Sequence, residues 1–231
     1  MERRIDISGS SITYTLERKR VKNINLRVRG GRVFVSAARW VPVPVIDGFM
    51  RSRGDFILSA LRRSAAAPQE HGFEDGERFY YLGHELSLRI FYGARSSVTV
   101  TGNELFVCVR EGASVERAVE KWYRAESERL CRAACDALWG EFSARGVPKC
   151  EIKMRAMRSC WGNCRPRART VTFNARLAAV PLECIEYVAA HELTHFLHAD
   201  HSPDFYAALA EVMPDWKPRR ALIKKYAPLV L

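Results

Sequence analysis

Alternating apolar and polar residues run through the first half of the chain. The segments ITYTLE, INLRVR and RVFVSA within residues 12–36 predict strands, and Gly30-Gly31 predicts a hairpin between the last two. The pattern returns in RFYYL, ELSLRIFY, SVTVT and ELFVCVR. Between these groups, a periodic apolar pattern predicts one helix over residues 44–64, followed by a small, polar loop over 65–76. No internal repeat is evident.

The second half of the chain has mostly helical patterns. A long helix is predicted over residues 114–145, with Ser114 as its cap and Gly146 after its end. Two strands follow, CEIKMRAM and TVTFN, and the segment RSCWGNCRPRAR between them is predicted to be a loop. Three further helices are predicted, over residues 181–198, from Ser202, and over 216–226. We therefore expect an α+β protein, with a β-hairpin-rich region holding one helix over 1–112 and a second domain over 113–231.

Composition indicates an ordinary soluble protein. Hydrophobic residues make up 48% and charged residues 27% of the chain. No apolar run approaches the roughly 20 residues that cross a bilayer, and the N-terminus lacks a signal-peptide pattern. The seven cysteines match neither a secreted disulfide framework nor a zinc ribbon, which favours reduced thiols. We expect a cytoplasmic protein with no membrane partner.

The net charge is +11, from 37 basic and 26 acidic residues. Such an excess favours contact with anions such as nucleic acid. Because 29 of the 37 basic residues are Arg, spread along the whole chain, a coding bias explains the excess equally well. Nucleic acid is thus a partner that the charge allows, although no DNA- or RNA-binding motif supports it.

A candidate metal site lies in residues 191–195, which read His-Glu-Leu-Thr-His. Residues four apart share one face of a helix, so His191 and His195 can bind one zinc ion at the usual distance of about 2.1 Å. Glu192 projects beside the metal, where it can take a proton from a zinc-bound water. The pattern predicts a metal-dependent hydrolase with one zinc ion per chain and Glu192 as its catalytic residue.

A catalytic zinc ion needs a third protein ligand and an open position. His201 lies beyond the end of the helix, at a turn that can bring it back to the metal. His198 is the competing choice, because in a continued helix it faces the metal side. It would then lie about 10 Å along the helix axis from His191. This distance favours His201 as the third ligand.

Several segments of the chain resemble the YgjP-like metal-dependent hydrolase family, which is classed among zincin-type metallopeptidases near the SprT-like and WLM proteins. They are MRSCWGNC at 157–164, TFNARL at 172–177, Pro181, IEYVAAHELTHFLHADHSPDFY at 185–206 and MPDW at 213–216. The resemblance implies a minimal zincin-like core whose HExxH helix packs on a small sheet. It also implies His191, His195 and His201 as metal ligands and Glu192 as the catalytic residue.

The cysteine-containing loop departs from the family pattern. The usual Trp-Gly-Ser-Cys signature has Asn163 in place of Ser here. Arg158, Trp161 and Asn163 are candidates to contact substrate, although packing explains them equally well. Tyr206 is a candidate hydrogen-bond donor to an oxyanion or a packing residue, and Asn174 is a weaker candidate.

Three functions follow from these features. The first is a zinc metallopeptidase acting on peptides. The second is a metal-dependent nucleoside triphosphate (UTP) pyrophosphatase, an activity described for a member of the family, with Arg165, Arg167 and Arg169 holding the phosphates. The third is a non-enzymatic, zinc-stabilised module associated with nucleic acid. An intact HExxH pattern argues against the third, because a structural zinc site has no need for Glu192.

Overall fold

The computed structural model describes residues 2–29, 31–65 and 71–230, so Gly30 and part of the predicted 65–76 loop lie outside the described residues. The chain forms two units, Met1–Ala67 and Pro68–Leu231. The α+β prediction is confirmed, since both units combine helices with a sheet. None of the helices in these described ranges is both long and apolar enough to cross a membrane.

The division between the units differs from the predicted division at residue 112. The predicted N-terminal region was 1–112, but its second group of strands belongs to the later unit. These strands contribute Leu88, Leu105 and Val107 to one hydrophobic core with the helices that follow. Alternation along a strand shows which residues are buried but not which partner buries them, so the sequence pattern placed all hairpins together.

The first unit is a four-stranded sheet with two helices. Its strands have the order β1-β2-β4-β3, with β2 and β4 parallel and the outer pairs antiparallel. Alternate side chains, including Ile12, Tyr14, Leu16, Val33 and Val35, are buried on one face. The strand bounds are β1 (Glu2–Ile7), β2 (Ser10–Arg18), β3 (Asn25–Arg29) and β4 (Arg32–Ala37).

The predicted helix over 44–64 is two helices, α1 (Val43–Ser52) and α2 (Gly54–Ala65). The break falls at Arg53, whose φ of −108° and ψ of 17° depart from helical values. The next residue, Gly54, lies so close to the sheet that a Cβ there would be 2.6 Å from Cγ2 of Ile7. The apolar periodicity continues across the break, which is why it predicted one helix.

The second unit begins with a sheet that repeats the topology of the first. Its order is β5-β6-β8-β7, again with a parallel central pair and antiparallel outer pairs. The two sheets thus share a strand topology, although the sequence shows no internal repeat. The strand bounds are β5 (Arg78–Tyr81), β6 (His84–Tyr92), β7 (Ser97–Thr101) and β8 (Glu104–Val109).

A long helix, α3 (Val115–Ala144), follows this sheet close to its predicted bounds. The hydroxyl of Ser114 accepts a hydrogen bond from the backbone N–H of Arg117, which confirms the predicted cap. A small sheet of order β10-β11-β9 comes next, with β9 (Glu151–Arg155), β10 (Gly162–Arg165) and β11 (Thr170–Asn174). Strand β10 lies within the segment that was predicted to be a loop.

The last three helices are α4 (Leu182–Thr194), α5 (Pro203–Val212) and α6 (Trp216–Val230). Helix α4 is buried over most of its surface and packs against α3, α5, α6 and β10. It ends four residues before the predicted end at 198, because the chain turns after His195. Helix α5 has the predicted cap, since the hydroxyl of Ser202 accepts a hydrogen bond of 3.4 Å from the N–H of Phe205.

Candidate metal centre

The end of α4 carries two of the predicted metal ligands. His191 lies in the last turn of the helix, and His195 directly follows it with near-helical φ and ψ of −64° and −15°. The two imidazoles therefore point the same way, with ring centroids 5.0 Å apart. The predicted pairing of these two residues on one face agrees with this geometry.

The turn after α4 brings His201 back to the same place. Its Nε2 atom lies 2.9 Å from Nε2 of His191. One ring nitrogen from each of His191, His195 and His201 lies within 4.8 Å of the other two. Among the described residues, this is the one group of histidine, cysteine and carboxylate side chains close enough to share an ion. The structure thus assembles all three predicted ligands.

His198, the competing ligand in the sequence, acts through its backbone. Its carbonyl oxygen lies 3.1 Å from Nδ1 of His195. Because a carbonyl only accepts, Nδ1 of His195 must donate, and this leaves Nε2 with its lone pair free for a metal. His198 therefore orients a neighbouring imidazole, and its own side chain lies outside the three-histidine cluster.

The donor set fits a divalent ion such as zinc. Burial and the neighbouring His195 and His201 lower the pKa of His191 to about 3, and burial also lowers the pKa of His195. These imidazoles are therefore neutral at pH 7, which is the form that binds metal. Nδ1 of His191 is buried with no hydrogen-bond partner among the described residues. The fit to a metal depends on the other ring nitrogen, Nε2, which faces Nε2 of His201.

Glu192 lies beside the histidines, with only 5% of its surface exposed. Burial raises the pKa of its carboxyl to about 8, and a hydrogen bond from the backbone N–H of Cys164 opposes this shift. The side chain lies directly against β10, where a Cβ on Gly162 would be 2.5 Å from Oε1 of Glu192. A glycine at 162 is therefore what leaves room for the carboxylate.

The histidines and Glu192 lie in a cleft of about 570 Å³ bounded by β10, α4 and α6. Trp161 and Asn163, both predicted substrate contacts, line this cleft. Arg158 and Tyr206 are not among its described lining residues. The Tyr206 ring instead stacks on Trp216 at 4.8 Å, and also lies 6.2 Å from the His201 ring.

Asn174, a weaker candidate in the sequence, holds the loop that leads into β10. Its side-chain amide donates to the carbonyl oxygens of Met157 and Cys160, at 2.8 and 3.0 Å. Its Oδ1 accepts from the backbone N–H of Arg176. Since every polar group of this buried side chain is used, Asn174 supports the site without entering the cleft.

Helix α6 contributes cleft residues that the sequence pattern did not reveal. The Arg220 guanidinium lies in the cleft, 5.4 Å from the ring centre of Tyr206, and no described carboxylate pairs with it. Lys224 lines the same side, one helical turn further on. Tyr187 also lines the cleft, 5.8 Å from the His191 ring, and burial raises its pKa to about 12. One end of the cleft is therefore positively charged.

Three imidazoles able to share one ion beside a buried carboxylate are typical of metal-dependent hydrolases. A comparison with family models narrows this class. Residues 22–226 match the YgjP-like, metallopeptidase domain model, and the chain belongs to this family. The resemblance inferred from the sequence is confirmed.

The other comparisons add little to this assignment. A search of curated proteins found no match. Among solved structures, the chain is similar to the metallopeptidase zymogen of Pyrococcus abyssi abylysin. The sequence identity is 20%, the match covers 43% of this chain and 92% of that chain, and the TM-score is 0.35.

Proposed function

We propose that this protein is a zinc-dependent metallopeptidase in which Glu192 activates the attacking water. The observation that carries the proposal is the position of three clustered imidazoles and a buried carboxylate in one open cleft. His191, His195 and His201 would hold one zinc ion per chain. A bound zinc ion supplies a Lewis acid, which polarises a carbonyl and lowers the pKa of a water molecule.

Glu192 performs the proton transfers in this proposal. Burial alone raises the pKa of this carboxyl to about 8, and a cation held by the neighbouring histidines would lower it and favour the ionised form. The carboxylate then takes a proton from the attacking water and gives a proton to the leaving amine. The N–H of Cys164 and the close contact with Gly162 hold the carboxylate in one place. Because only 5% of Glu192 is exposed, its contact with bulk water between the two steps is small.

Strand β10 supports a peptide as the substrate. It is an edge strand of the described β10-β11-β9 sheet, and Gly162, Asn163 and Cys164 also line the cleft. An edge strand has N–H and C=O groups that an extended peptide can pair with. A peptide bound along β10 would pass directly beside Glu192, which contacts Gly162.

A nucleoside triphosphate is the second candidate substrate, and the charged end of the cleft favours it. Arg220 and Lys224 line the cleft and would attract phosphate or carboxylate groups. The arginines predicted for this purpose, Arg165, Arg167 and Arg169, are exposed and are not among the described lining residues. The support for a pyrophosphatase therefore comes from α6 rather than from the basic loop.

A substrate comparison separates the two activities. We expect the zinc-loaded protein to cleave unfolded casein, and we expect a chelator to abolish cleavage and added zinc to restore it. The same preparation is incubated with ATP, GTP, CTP and UTP, and pyrophosphate release is measured. Pyrophosphate release without casein cleavage would favour the pyrophosphatase. Casein cleavage that survives the chelator would contradict a metal-dependent peptidase.

Replacing Gly162 with Ala is expected to displace the Glu192 carboxylate. The new Cβ would lie 2.5 to 2.7 Å from three atoms of the Glu192 side chain, which must move to another rotamer. Misplacing a reacting group by about 1 Å costs about 100-fold in rate, so we expect kcat to fall by about this factor. The kcat for casein or a peptide derived from it is the measurement.

The matched control for this change is Gly140→Ala, in the exposed part of α3. A Cβ at Gly140 meets no atom within 4 Å, so this variant should keep the wild-type rate. Zinc content should be unchanged in both variants, because neither glycine contacts a histidine of the cluster through its added Cβ. A Gly162→Ala protein with the wild-type kcat would show that β10 does not position Glu192.

A further inference from the structure

The positive charge of the chain is concentrated in the first unit. Residues 1–67 contain 14 Lys and Arg against 5 Asp and Glu, whereas residues 68–231 contain 23 against 21. The first unit therefore carries +9 of the net +11 on fewer than a third of the residues. A coding bias would act on both units alike, so it does not explain why most of the excess positive charge lies in the first unit.

Part of this charge lines a groove within the first unit. The groove has a volume of about 580 Å³ and lies where the parallel strands β2 and β4 both end. We call it the basic groove. Its charged and aromatic lining residues are Arg18, Lys19, Arg20, Lys22, Arg39 and Trp40.

The cations of the basic groove differ in how they are used by the fold. The Arg18 guanidinium donates to the carbonyl oxygens of Ala38 and Val41, both at 2.8 Å, and so ties the two strand ends together. Lys19 pairs with Glu17. Arg20, Lys22 and Arg39 are exposed, and the described residues provide no carboxylate partner for them. Their charges are available to a ligand.

Trp40 gives the basic groove an exposed aromatic surface. It is 78% exposed, although tryptophan is usually buried over most of its surface. A flat aromatic ring beside cations can stack on a nucleic acid base while the cations bind the neighbouring phosphates.

The second sheet has the same topology without a comparable group of cations and tryptophan. It has the same strand order, and the segments that follow its parallel strands β6 and β8 are Gly-Ala-Arg-Ser at 93–96 and Arg-Glu-Gly at 110–112. These segments contain two arginines, one glutamate and no aromatic residue. Arg18 and Lys19 have partners within the fold, whereas Arg20, Lys22, Arg39 and Trp40 have no described partner there, which points to a use other than folding.

We propose that the basic groove binds single-stranded nucleic acid, with a base stacked on Trp40 and phosphates bound by Arg20, Lys22 and Arg39. The volume of about 580 Å³ lies within the range of about 300–1,000 Å³ that is usual for small-molecule sites, a size that can hold a nucleotide. A duplex keeps its bases paired and offers none to Trp40. A membrane surface offers phosphates but no base for the Trp40 ring to stack on.

Binding is tested with the full chain and labelled oligonucleotides of about 12 nucleotides, as single-stranded DNA, single-stranded RNA and duplex DNA. Fluorescence anisotropy is measured between about 50 and 200 mM salt. We expect both single strands to bind more tightly than the duplex. Trp40→Ala should weaken binding about tenfold, and Trp40→Phe should restore most of the loss because it keeps a stacking face.

The charge contribution is tested with an Arg20→Gln, Lys22→Gln double variant. Each phosphate contact contributes about 0.7 to the slope of log K against log salt for single strands, so the slope should fall by about 1.4. Arg95→Gln, in the matching segment of the second sheet, is the control and should bind like the wild type. Circular dichroism checks that each variant is folded.

Three results would overturn this assignment. The first is no binding of any single strand at the lowest salt. The second is binding that Trp40→Ala leaves unchanged, or that Arg95→Gln weakens as much as the double variant does. The third is tighter binding to phosphatidylserine vesicles than to the oligonucleotides, which would indicate a membrane surface. None of these depends on the peptidase activity, so the two proposals fail separately.

Discussion

A Glu192→Gln protein is expected to keep its zinc ion and to lose about 100- to 10,000-fold in kcat. Glutamine has nearly the same shape as glutamate, and its amide oxygen can still accept from the N–H of Cys164. It cannot accept a proton from water, so the group that activates the nucleophile is lost. The measurement is kcat for one peptide substrate with both proteins fully loaded with zinc.

Glu183→Gln is the matched control for this variant. Glu183 lies in the first turn of the same helix, α4, but is exposed and far along the helix from the histidines. We expect this change to leave kcat unaltered. If Glu192→Gln retained the wild-type rate, the proton would have to be carried by another group, and the proposed use of Glu192 would be abandoned.

Removing the His201 imidazole is expected to have the second large effect. With His201→Ala only His191 and His195 remain, and two ligands do not complete a catalytic zinc site. We expect this variant to yield its zinc to a competing chromogenic chelator that the wild type resists, and to lose peptide hydrolysis with it. The transfer of zinc to the chelator is followed by absorbance.

The His198→Ala variant tests whether His201 or the neighbouring His198 is the third ligand. The His198 side chain is outside the histidine cluster, and its carbonyl, which binds Nδ1 of His195, survives the substitution. The His198→Ala protein should therefore resist the chelator like the wild type. Zinc loss in His198→Ala, together with zinc retention in His201→Ala, would reverse the assignment of the third ligand.

The three-histidine cluster is the most predictable part of the structure because its constraints are local. His195 follows His191 by four positions, so their common direction follows from helix geometry alone. His201 follows His195 by six residues, and a turn after the helix brings it back to the other two histidines. The structure places all three together.

The surroundings of Glu192 were not predictable, because they depend on contacts between distant segments. Gly162 contacts Glu192 across 30 residues of sequence, and Arg220 enters the cleft from the last helix. Strand β10 was missed because GNCR is short and has no apolar alternation. The sequence shows Gly162 inside a cysteine-rich segment but does not indicate that it contacts Glu192.

The limits of helices and units were missed for a related reason. Periodicity indicates which face of a helix is buried but not whether the helix is continuous. The sequence therefore does not reveal the break at Arg53, next to the close approach of Gly54 to Ile7. The two sheets share a strand topology and an alternation of apolar and polar residues but not residue identities, so the sequence does not reveal their similarity. The concentration of charge in residues 1–67 became meaningful only once that unit was defined.

Zinc stoichiometry measured by native mass spectrometry tests the three-histidine centre most directly. The wild type and Glu192→Gln are expected to carry one zinc ion per chain, because Glu192 lies beside the ligands without being one. His201→Ala is expected to carry none under the same conditions. A His201→Ala protein that retains one zinc ion, or a Glu192→Gln protein that loses it, would contradict a centre built from His191, His195 and His201 with Glu192 as its base.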